Sequence, residues 1–368
     1  MKTTALCLLS LLLIYTAVLP AETASAVSAE SAVVMEQESG RVLYGKDETK
    51  QMRIASITKI MTAVVALEEA EIDDMVQISQ NAAGTEGSSL YLEPGDEMKL
   101  EDLLYGLMLR SGNDAAVAIA EHAGETLDGF VYLMNKKAEE IGMAGTRFQN
   151  PHGLDDHEEH HSTAFDMALL TRYAMNNEEF REISGTTHHS APNEREAWDH
   201  SWKNKNKLLT GLYEHATGGK TGYTKRAKRT LVSTAEKNDT ELIAVTLNAP
   251  SDWNDHIQMF ETAFAAFQPI TLAEPGKQPV LSAELQEEAY VHDQVTYPLN
   301  AEEQAELTSK FIRFSQRDMA HRGDGSMGRW QFMLDGEVVA EAKVYREEAE
   351  SPPTFLERIN RLLRMLKE

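Results

Sequence analysis

The chain has 368 residues, enough for two domains, and sets 35 Lys plus Arg against 59 Asp plus Glu, a formal charge of −24 at pH 7. That excess of negative charge excludes nucleic acid as a partner, because phosphate binding needs a basic face. The single cysteine, Cys7, lies in an apolar N-terminal run, so no disulfide framework is available and a hydrophobic core must carry the fold.

In chain order, Lys2 and the apolar stretch Ala5 to Val18 form a signal peptide whose apolar core is too short to span a bilayer comfortably. Ala24-Ser25-Ala26 is its small-x-small cleavage site, with a second possible cut after Ala29. Residues 1–26 are therefore a leader, and the mature chain is exported. Ala32-Val33-Val34-Met35 and Arg41-Val42-Leu43-Tyr44 flank Ser39-Gly40 and predict an opening β-hairpin.

Ser56-Ile57-Thr58-Lys59 opens a run to Leu67 with no Gly or Pro, which predicts a buried helix starting at or just before Ser56. Residues three apart share a helix face, so the Lys59 amine lies against the Ser56 hydroxyl. Backbone N–H groups at the helix start direct positive potential at any oxyanion formed there. A serine hydroxyl needs a base to become a nucleophile, and a neutral lysine can serve. Neutralising a lysine of pKa near 10.4 at pH 7 costs about 4.6 kcal/mol. Burial and a nearby cation lower that cost, and Lys220 is the candidate cation. An isolated Ser-x-x-Lys is ordinarily a helix-capping Ser beside a surface Lys, so the chemical reading rests on the segments that follow.

A helical lobe is expected from about Ile72 to Leu209. Within it, Ser111-Gly112-Asn113 interrupts two apolar helical stretches and can project polar side chains into a cleft. The Ser111 hydroxyl could pass a proton between Lys59 and a leaving amine, and Asn113 could bond a substrate amide and position Lys59. Further on, His157-Glu158-Glu159-His160-His161 formally matches the H-E-x-x-H zinc-protease pattern. Its neighbours are polar and it lacks an apolar helix face, so a solvated loop is expected, with no metal and no cofactor. Ser162 or Thr163 is the expected cap of the next helix.

Lys220-Thr221-Gly222 leads into a strand, followed by Leu231–Ala235 and Leu242–Leu247 as a hairpin around Lys237-Asn238-Asp239. Gly222 leaves room for a peptide to lie along the strand. Lys220 and the Thr221 hydroxyl supply a charge and a donor for a terminal carboxylate. Lys225, Arg226, Lys228 and Arg229 are read as solvated strand charges with a secondary role in attracting anionic substrate. From Gln268-Pro269 onward the pattern turns to short strands, with Trp330–Leu334 and Val338–Ala342 a hairpin around Asp335-Gly336. This predicts a small β-rich domain at 271–350 after a catalytic domain at 27–270. In 351–368, Phe355, Leu356, Ile359, Leu362, Leu363 and Leu366 share one helix face opposite Arg358, Arg361, Arg364 and Lys367. That basic amphipathic helix is expected to attach to a membrane surface, with docking on the β-rich domain or self-association as the alternative.

Ser56-x-x-Lys59, Ser111-Gly112-Asn113 and Lys220-Thr221-Gly222, in that order, resemble the motif set of penicillin-binding proteins and serine β-lactamases. Phe148-Gln149-Asn150-Pro151-His152-Gly153-Leu154, Gly87-Ser88-Ser89-Leu90 and Gly218–Thr224 extend the resemblance to the low-molecular-weight D-alanyl-D-alanine carboxypeptidases, over about Ala32 to Phe267. The run Ala227–Ala235 is more similar to sporulation-associated members.

The resemblance implies an α/β (α+β) fold: an antiparallel sheet sandwiched by helices, a helical lobe, and a small C-terminal β-rich domain. It implies Ser56 as the acylated nucleophile, Lys59 as its base, and Ser111 and Asn113 completing the proton path. Lys220, Thr221 and Gly222 would bind the carboxylate end, with the backbone N–H groups of Ser56 and Tyr223 as oxyanion hole, one such donor being worth about 3–4 kcal/mol. The implied partners are peptidoglycan stem peptides ending in D-Ala-D-Ala and β-lactam antibiotics, met at the outer face of the cytoplasmic membrane or in the cell wall. A serine β-lactamase is the alternative, but no Glu between Ser111 and Lys220 has Asn four residues on. A penicillin-binding sensor is the other.

Overall fold

The computed structural model describes residues 27–193 and 195–347; the leader and the terminal amphipathic segment lie outside them. β1 (Ser31–Glu36) and β2 (Val42–Lys46) form the opening hairpin. A 3₁₀ turn, Ala55–Thr58, then runs straight into α1 (Lys59–Glu69). The expected helix thus has a tighter first turn that carries Ser56, with the α-helix itself starting at Lys59.

The helical lobe follows. It holds the short ladder of β3 (Met75–Gln77) and β4 (Glu97–Lys99) around α2 (Gln80–Ala83). Then come α3 (Leu100–Tyr105), α4 (Asn113–Ala123), α5 (Leu127–Ile141), α6 (Ala164–Ala174) and α7 (Glu178–Gly185). Three of these helices start where a side-chain oxygen accepts an otherwise orphaned backbone N–H: Thr126 for α5, Thr163 for α6 and Asn177 for α7. Thr163 is thus the cap expected of Ser162 or Thr163. The lobe ends in a hairpin that the sequence did not announce, β5 (His188–Ala191) and β6 (His200–Lys203).

β7 (Ala216–Thr224), β8 (Lys228–Lys237) and β9 (Thr240–Leu247) complete an antiparallel sheet of order β2-β1-β9-β8-β7. α8 (Asp252–Ala266) covers its second face. Alternation within the strands explains the sandwich. Val33, Met35, Ile243 and Val245 join the core shared with the lobe, while Ala32, Val34, Leu242 and Ala244 join Met259 and Phe260 of α8. Both faces are buried, so these strands read as unbroken apolar runs.

Beyond α8, β10 (Gln268–Ala273) is followed by β11 (Gly276–Lys277), α9 (Pro279–Leu285) and β12 (Tyr290–Val291). β13 (Val295–Leu299) pairs back on β10, and α10 (Ala301–Glu306), β14 (Thr308–Arg313) and α11 (Gln316–Arg322) come next. β15 (Gly328–Leu334) and β16 (Glu337–Tyr345) form the expected hairpin. The second sheet has the order β11-β12-β16-β15-β14 and its own small core around Val291, Phe332 and Val344. Arg41, in the β1–β2 turn, ties the separate β10–β13 ladder and α10 to the first sheet. Its guanidinium pairs with Glu303 and the Pro298 carbonyl and stacks 5.1 Å from the rings of both Phe267 and Tyr297.

The first described residues are already part of the fold. Ser28 donates from N and Oγ to the Asp255 carboxylate at 2.9 and 2.6 Å, and Lys46 Nζ donates to the Val27 and Ala29 carbonyls at 2.9 and 2.6 Å. Cleavage after Ala26 keeps these bonds; cleavage after Ala29 removes them.

Three buried histidines make the fold acid-sensitive. His256 is locked between Ser233 Oγ at 2.5 Å and Thr246 Oγ1 at 2.9 Å, and burial pushes its pKa down to about 3. Burial does the same to His152 and His160. An unfolded histidine takes up its proton near 6.5, whereas these stay neutral in the fold. Their contribution is complete above pH 6.5 and is lost as pH falls toward 3, by about 1.4 kcal/mol per pH unit per histidine. Urea unfolding between pH 7 and 5 should show this slope, and His256→Gln should remove about a third of it. An unchanged slope in the variant would refute the assignment.

Candidate active site

The 3₁₀ turn bearing Ser56 is wedged between β7 and the loop Asn150–Leu154. Thr230 Oγ1 donates to the Ile54 carbonyl at 2.9 Å, and Thr58 Oγ1 donates to the Ala55 carbonyl at 2.8 Å. On the loop side, Thr62 Oγ1 donates to the Pro151 carbonyl at 2.5 Å. Ala55 is held at φ +51, a conformation that an alanine adopts only under such constraint.

Lys59 is fully buried, and its Nζ has three neighbours: Asn113 Oδ1 at 2.7 Å, the His152 carbonyl at 2.7 Å and Ser56 Oγ at 3.3 Å. The first two can only accept. The Asn113 amide is oriented by its other end, where Nδ2 donates 2.5 Å to the Glu86 carbonyl. A neutral amine has two N–H bonds and one lone pair. Its two protons go to Asn113 and His152, and the lone pair is left facing the Ser56 hydroxyl. Burial, followed by the charges of Lys220 and Lys205, holds the Lys59 pKa well below the ordinary lysine value.

Ser111 ends a π-helical turn, Gly106–Arg110, in the left-handed conformation at φ +65, and Asn113 starts α4. Both are buried in the break expected there. Lys220, Thr221, Gly222 and Tyr223 lie on β7. Lys220 is 1% exposed, donates to the Thr221 carbonyl at 2.8 Å, and is pushed down to about 7 by burial and Lys205. Gly222 has a different reason from the one its sequence suggested. A Cβ there would stand 2.3 Å from Thr230 Oγ1 and 3.0 Å from the Ser56 N–H nitrogen. The strand and the serine turn touch backbone to backbone, and a side chain would fill the space in front of the Ser56 amide.

Lys205 is the group sequence reasoning missed. It sits between β6 and β7 with an exposed side chain, Nζ 3.3 Å from Ser88 Oγ and its N–H on the Leu109 carbonyl. Asn204 and Asn206 pin its segment to Thr186 and Gly218. Nothing in its neighbours marks it in the sequence; it becomes visible only when the lobe closes over β7.

Two expectations need correcting. The His157–His161 segment is a loop, but not a fully solvated one: His160 is buried, with Nε2 2.8 Å from Thr58 Oγ1 and Nδ1 accepting the Gln149 N–H at 3.0 Å. It braces the serine turn. Among the described residues no cluster of His, Cys, Asp or Glu has the geometry to hold a metal. The basic stretch is also not uniformly solvated. Arg226 forks onto Glu158 at 2.7 Å through both nitrogens, and Arg53 reaches the same carboxylate at 2.7 Å. Arg229 pairs with buried Asp252 at 2.9 Å and lies over Trp253.

A family profile described as D-alanyl-D-alanine carboxypeptidase matches residues 18–251. Over 356 residues the chain is 32% identical to the D-alanyl-D-alanine carboxypeptidase DacF of Bacillus subtilis, covering 91% of this chain and 89% of that protein. This chain belongs to the D-alanyl-D-alanine carboxypeptidase family of S11 serine peptidases. The carboxypeptidase is 33% identical to DacC of Escherichia coli, over 68% of this chain and 65% of DacC. Among solved structures, a D-alanyl-D-alanine carboxypeptidase of Mycobacterium tuberculosis superposes with a TM-score of 0.62 at 32% identity, covering 65% of this chain and 92% of that one. Penicillin-binding protein 5 of Haemophilus influenzae shares the fold over 88% of this chain and 97% of its own, with a TM-score of 0.71 at 24% identity. The antiparallel sheet between helices and the second C-terminal β-sheet are thus the fold expected.

Proposed function

We propose that the carboxypeptidase removes the terminal D-alanine of peptidoglycan stem peptides through an acyl-enzyme on Ser56, working outside the cytoplasmic membrane. What supports this reading is the place of buried Lys59 Nζ, 3.3 Å from Ser56 Oγ and 2.7 Å from each of two acceptor-only neighbours, an arrangement that leaves the lone pair of a neutral amine for the hydroxyl. Lys59 takes the hydroxyl proton as Ser56 Oγ attacks the penultimate D-Ala carbonyl. The oxyanion forms in the space that Gly222 keeps open, against the Ser56 N–H and, across β7, the Tyr223 N–H. The C–N bond breaks, and the leaving D-Ala nitrogen receives the proton from Lys59 by way of Ser111. Lys220 and the Thr221 hydroxyl hold the terminal carboxylate, in a cleft where Lys205 adds a further positive charge. Water then cleaves the ester.

A β-lactam presents the same carboxylate beside a reactive carbonyl and should acylate Ser56 as well. Asp114, a buried carboxylate whose charge acts on Lys59, is engaged by Ser89 Oγ and the N–H groups of Leu90 and Leu92, so it is no base for a deacylating water. Labelled penicillin is therefore expected to remain on Ser56, while a diacyl-Lys-D-Ala-D-Ala peptide releases free D-Ala; Ser56→Ala abolishes both. Rapid catalytic hydrolysis of penicillin would instead make the protein a β-lactamase. Stable acylation without D-Ala release from any stem peptide would make it a sensor.

A further inference from the structure

Two aromatic side chains stand largely in solvent on loops that are bridged to each other: Tyr91, 86% exposed, and Trp198, 68% exposed. Exposed aromatics are common singly, but these two are displayed by built structure. Tyr91 lies between Leu90 and Leu92, both buried, and is held at φ +64, where a bulky residue is disfavoured. The buried carboxylate of Asp114 enforces that shape. It accepts the Leu90 N–H at 2.8 Å, the Leu92 N–H at 3.3 Å and Ser89 Oγ at 2.6 Å, and Ser89 Oγ in turn accepts the Tyr91 N–H at 2.8 Å. Trp198 lies in the turn of the β5–β6 hairpin. That hairpin is anchored to the lobe by His189, which stacks 3.8 Å from Tyr105 and bonds Asp102 at 2.6 Å. Arg195, in the same turn, reaches across to Glu93 at 2.6 Å and to Asp96. The two displaying loops are thereby bridged.

The loop carrying Tyr91 is also a wall of the active site. Three residues earlier, the Ser88 carbonyl accepts the Asn113 N–H at 2.7 Å, and Ser88 Oγ meets Lys205. The rim and the cleft thus share one loop. We propose that Tyr91 and Trp198 form a sugar-binding rim for the glycan strand of peptidoglycan, holding the polymer whose stem peptide enters the site. The identity of the occupant rests on the proposed substrate. The chemistry fits it: the C–H face of a pyranose ring is weakly positive and packs on the negative face of an aromatic ring, while Glu93 and Arg195 offer polar partners to hydroxyl and amide groups.

The test uses sacculi stripped of stem peptides by an amidase, so that only glycan remains. The full chain should co-sediment with this material, and Tyr91→Ala/Trp198→Ala should weaken retention by about tenfold. The double variant should keep its melting temperature and should cleave a soluble stem peptide within about twofold of the unaltered chain, since neither ring touches the reacting atoms. On intact sacculi its rate of D-Ala release should fall with the lost retention. Equal retention of both proteins on stripped glycan would overturn the proposal, as would retention that appears only when stem peptides or other proteins are present. A chain that binds stripped glycan through these rings but releases no D-Ala from any peptide would leave the rim standing and remove the reaction instead.

Discussion

Lys59→Arg is expected to fold, yet to lose acylation by penicillin and D-Ala release by about two to four decades, the usual worth of a general base. Lys59→Ala should fall as far. Arginine keeps a charge at this position but cannot give up its proton, so it cannot offer Ser56 Oγ a lone pair. In the proposed mechanism that lone pair is available because Asn113 Oδ1 and the His152 carbonyl take the two protons of a neutral amine, and because burial beside Lys220 and Lys205 disfavours the ammonium. The pH dependence carries the same sign. Acylation should fall as pH drops through the lowered Lys59 pKa and Lys59 is protonated. Lys205→Gln removes a neighbouring positive charge, lets Lys59 hold its proton more easily, and should move that acid limb to higher pH. Stopped-flow acylation across pH 5–10 with thermal melts as the control reads both. Near-normal acylation by the arginine variant would mean that Lys59 acts only as a charge.

Gly153→Ala is the second large effect expected, although residue 153 carries no side chain and touches no substrate. Its φ is +86, and a Cβ would stand 1.9 Å from the Ala55 carbonyl oxygen, 2.4 Å from the Ala55 carbonyl carbon and 2.9 Å from Thr58 Oγ1. The first two atoms are backbone of the turn that carries Ser56, so relief requires moving that turn or the loop that holds Lys59 through His152. Overpacking of this kind costs about 1–3 kcal/mol, and a residue forced to positive φ adds about 1 kcal/mol. A displacement near 1 Å at the nucleophile can cost about a hundredfold in rate. Gly142→Ala is the control. It has nearly the same φ, +88, with nothing within 4 Å of the added Cβ, so it should pay the backbone strain alone and keep full activity. Melting temperatures and kcat/KM of the two variants separate steric displacement from strain. Equal behaviour would show that the serine turn does not depend on close approach at Gly153.

Much of the fold was legible because strand and helix periods are local. Val33 and Met35 against Ala32 and Val34 separate the two faces of the sheet at a spacing of two residues. The apolar run after Ser56 has nowhere to break before Leu67, and the Ser56–Lys59 contact needs only the geometry of one helical turn. The hairpins at Ser39-Gly40, Lys237-Asn238-Asp239 and Asp335-Gly336 were visible for the same reason. Asn238 and Asp239 both take positive φ, which their short polar side chains tolerate. The β5–β6 hairpin was missed because its turn is eight residues long, five of them polar or charged, and its strands are rich in histidine and serine, so neither period two nor a turn dipeptide marks it.

By itself, the amino-acid sequence determined the order of elements, the position of the serine turn, the Ser111 break and the strand that carries Lys220. Each of these depends on neighbours within a few residues. Tertiary structure alone decided which groups surround the Lys59 amine. The His152 carbonyl lies 93 positions away in the chain, Asn113 lies 54 away, and Lys205 reaches the cleft only because the lobe packs over β7. It also turned Gly222 and Gly153 from plausible loop and strand glycines into the two points where backbone meets the serine turn. Local spacing records which way a side chain leaves its own segment. Contact between segments, and the burial that shifts a pKa, are set by how whole elements pack, and no short window of sequence records that.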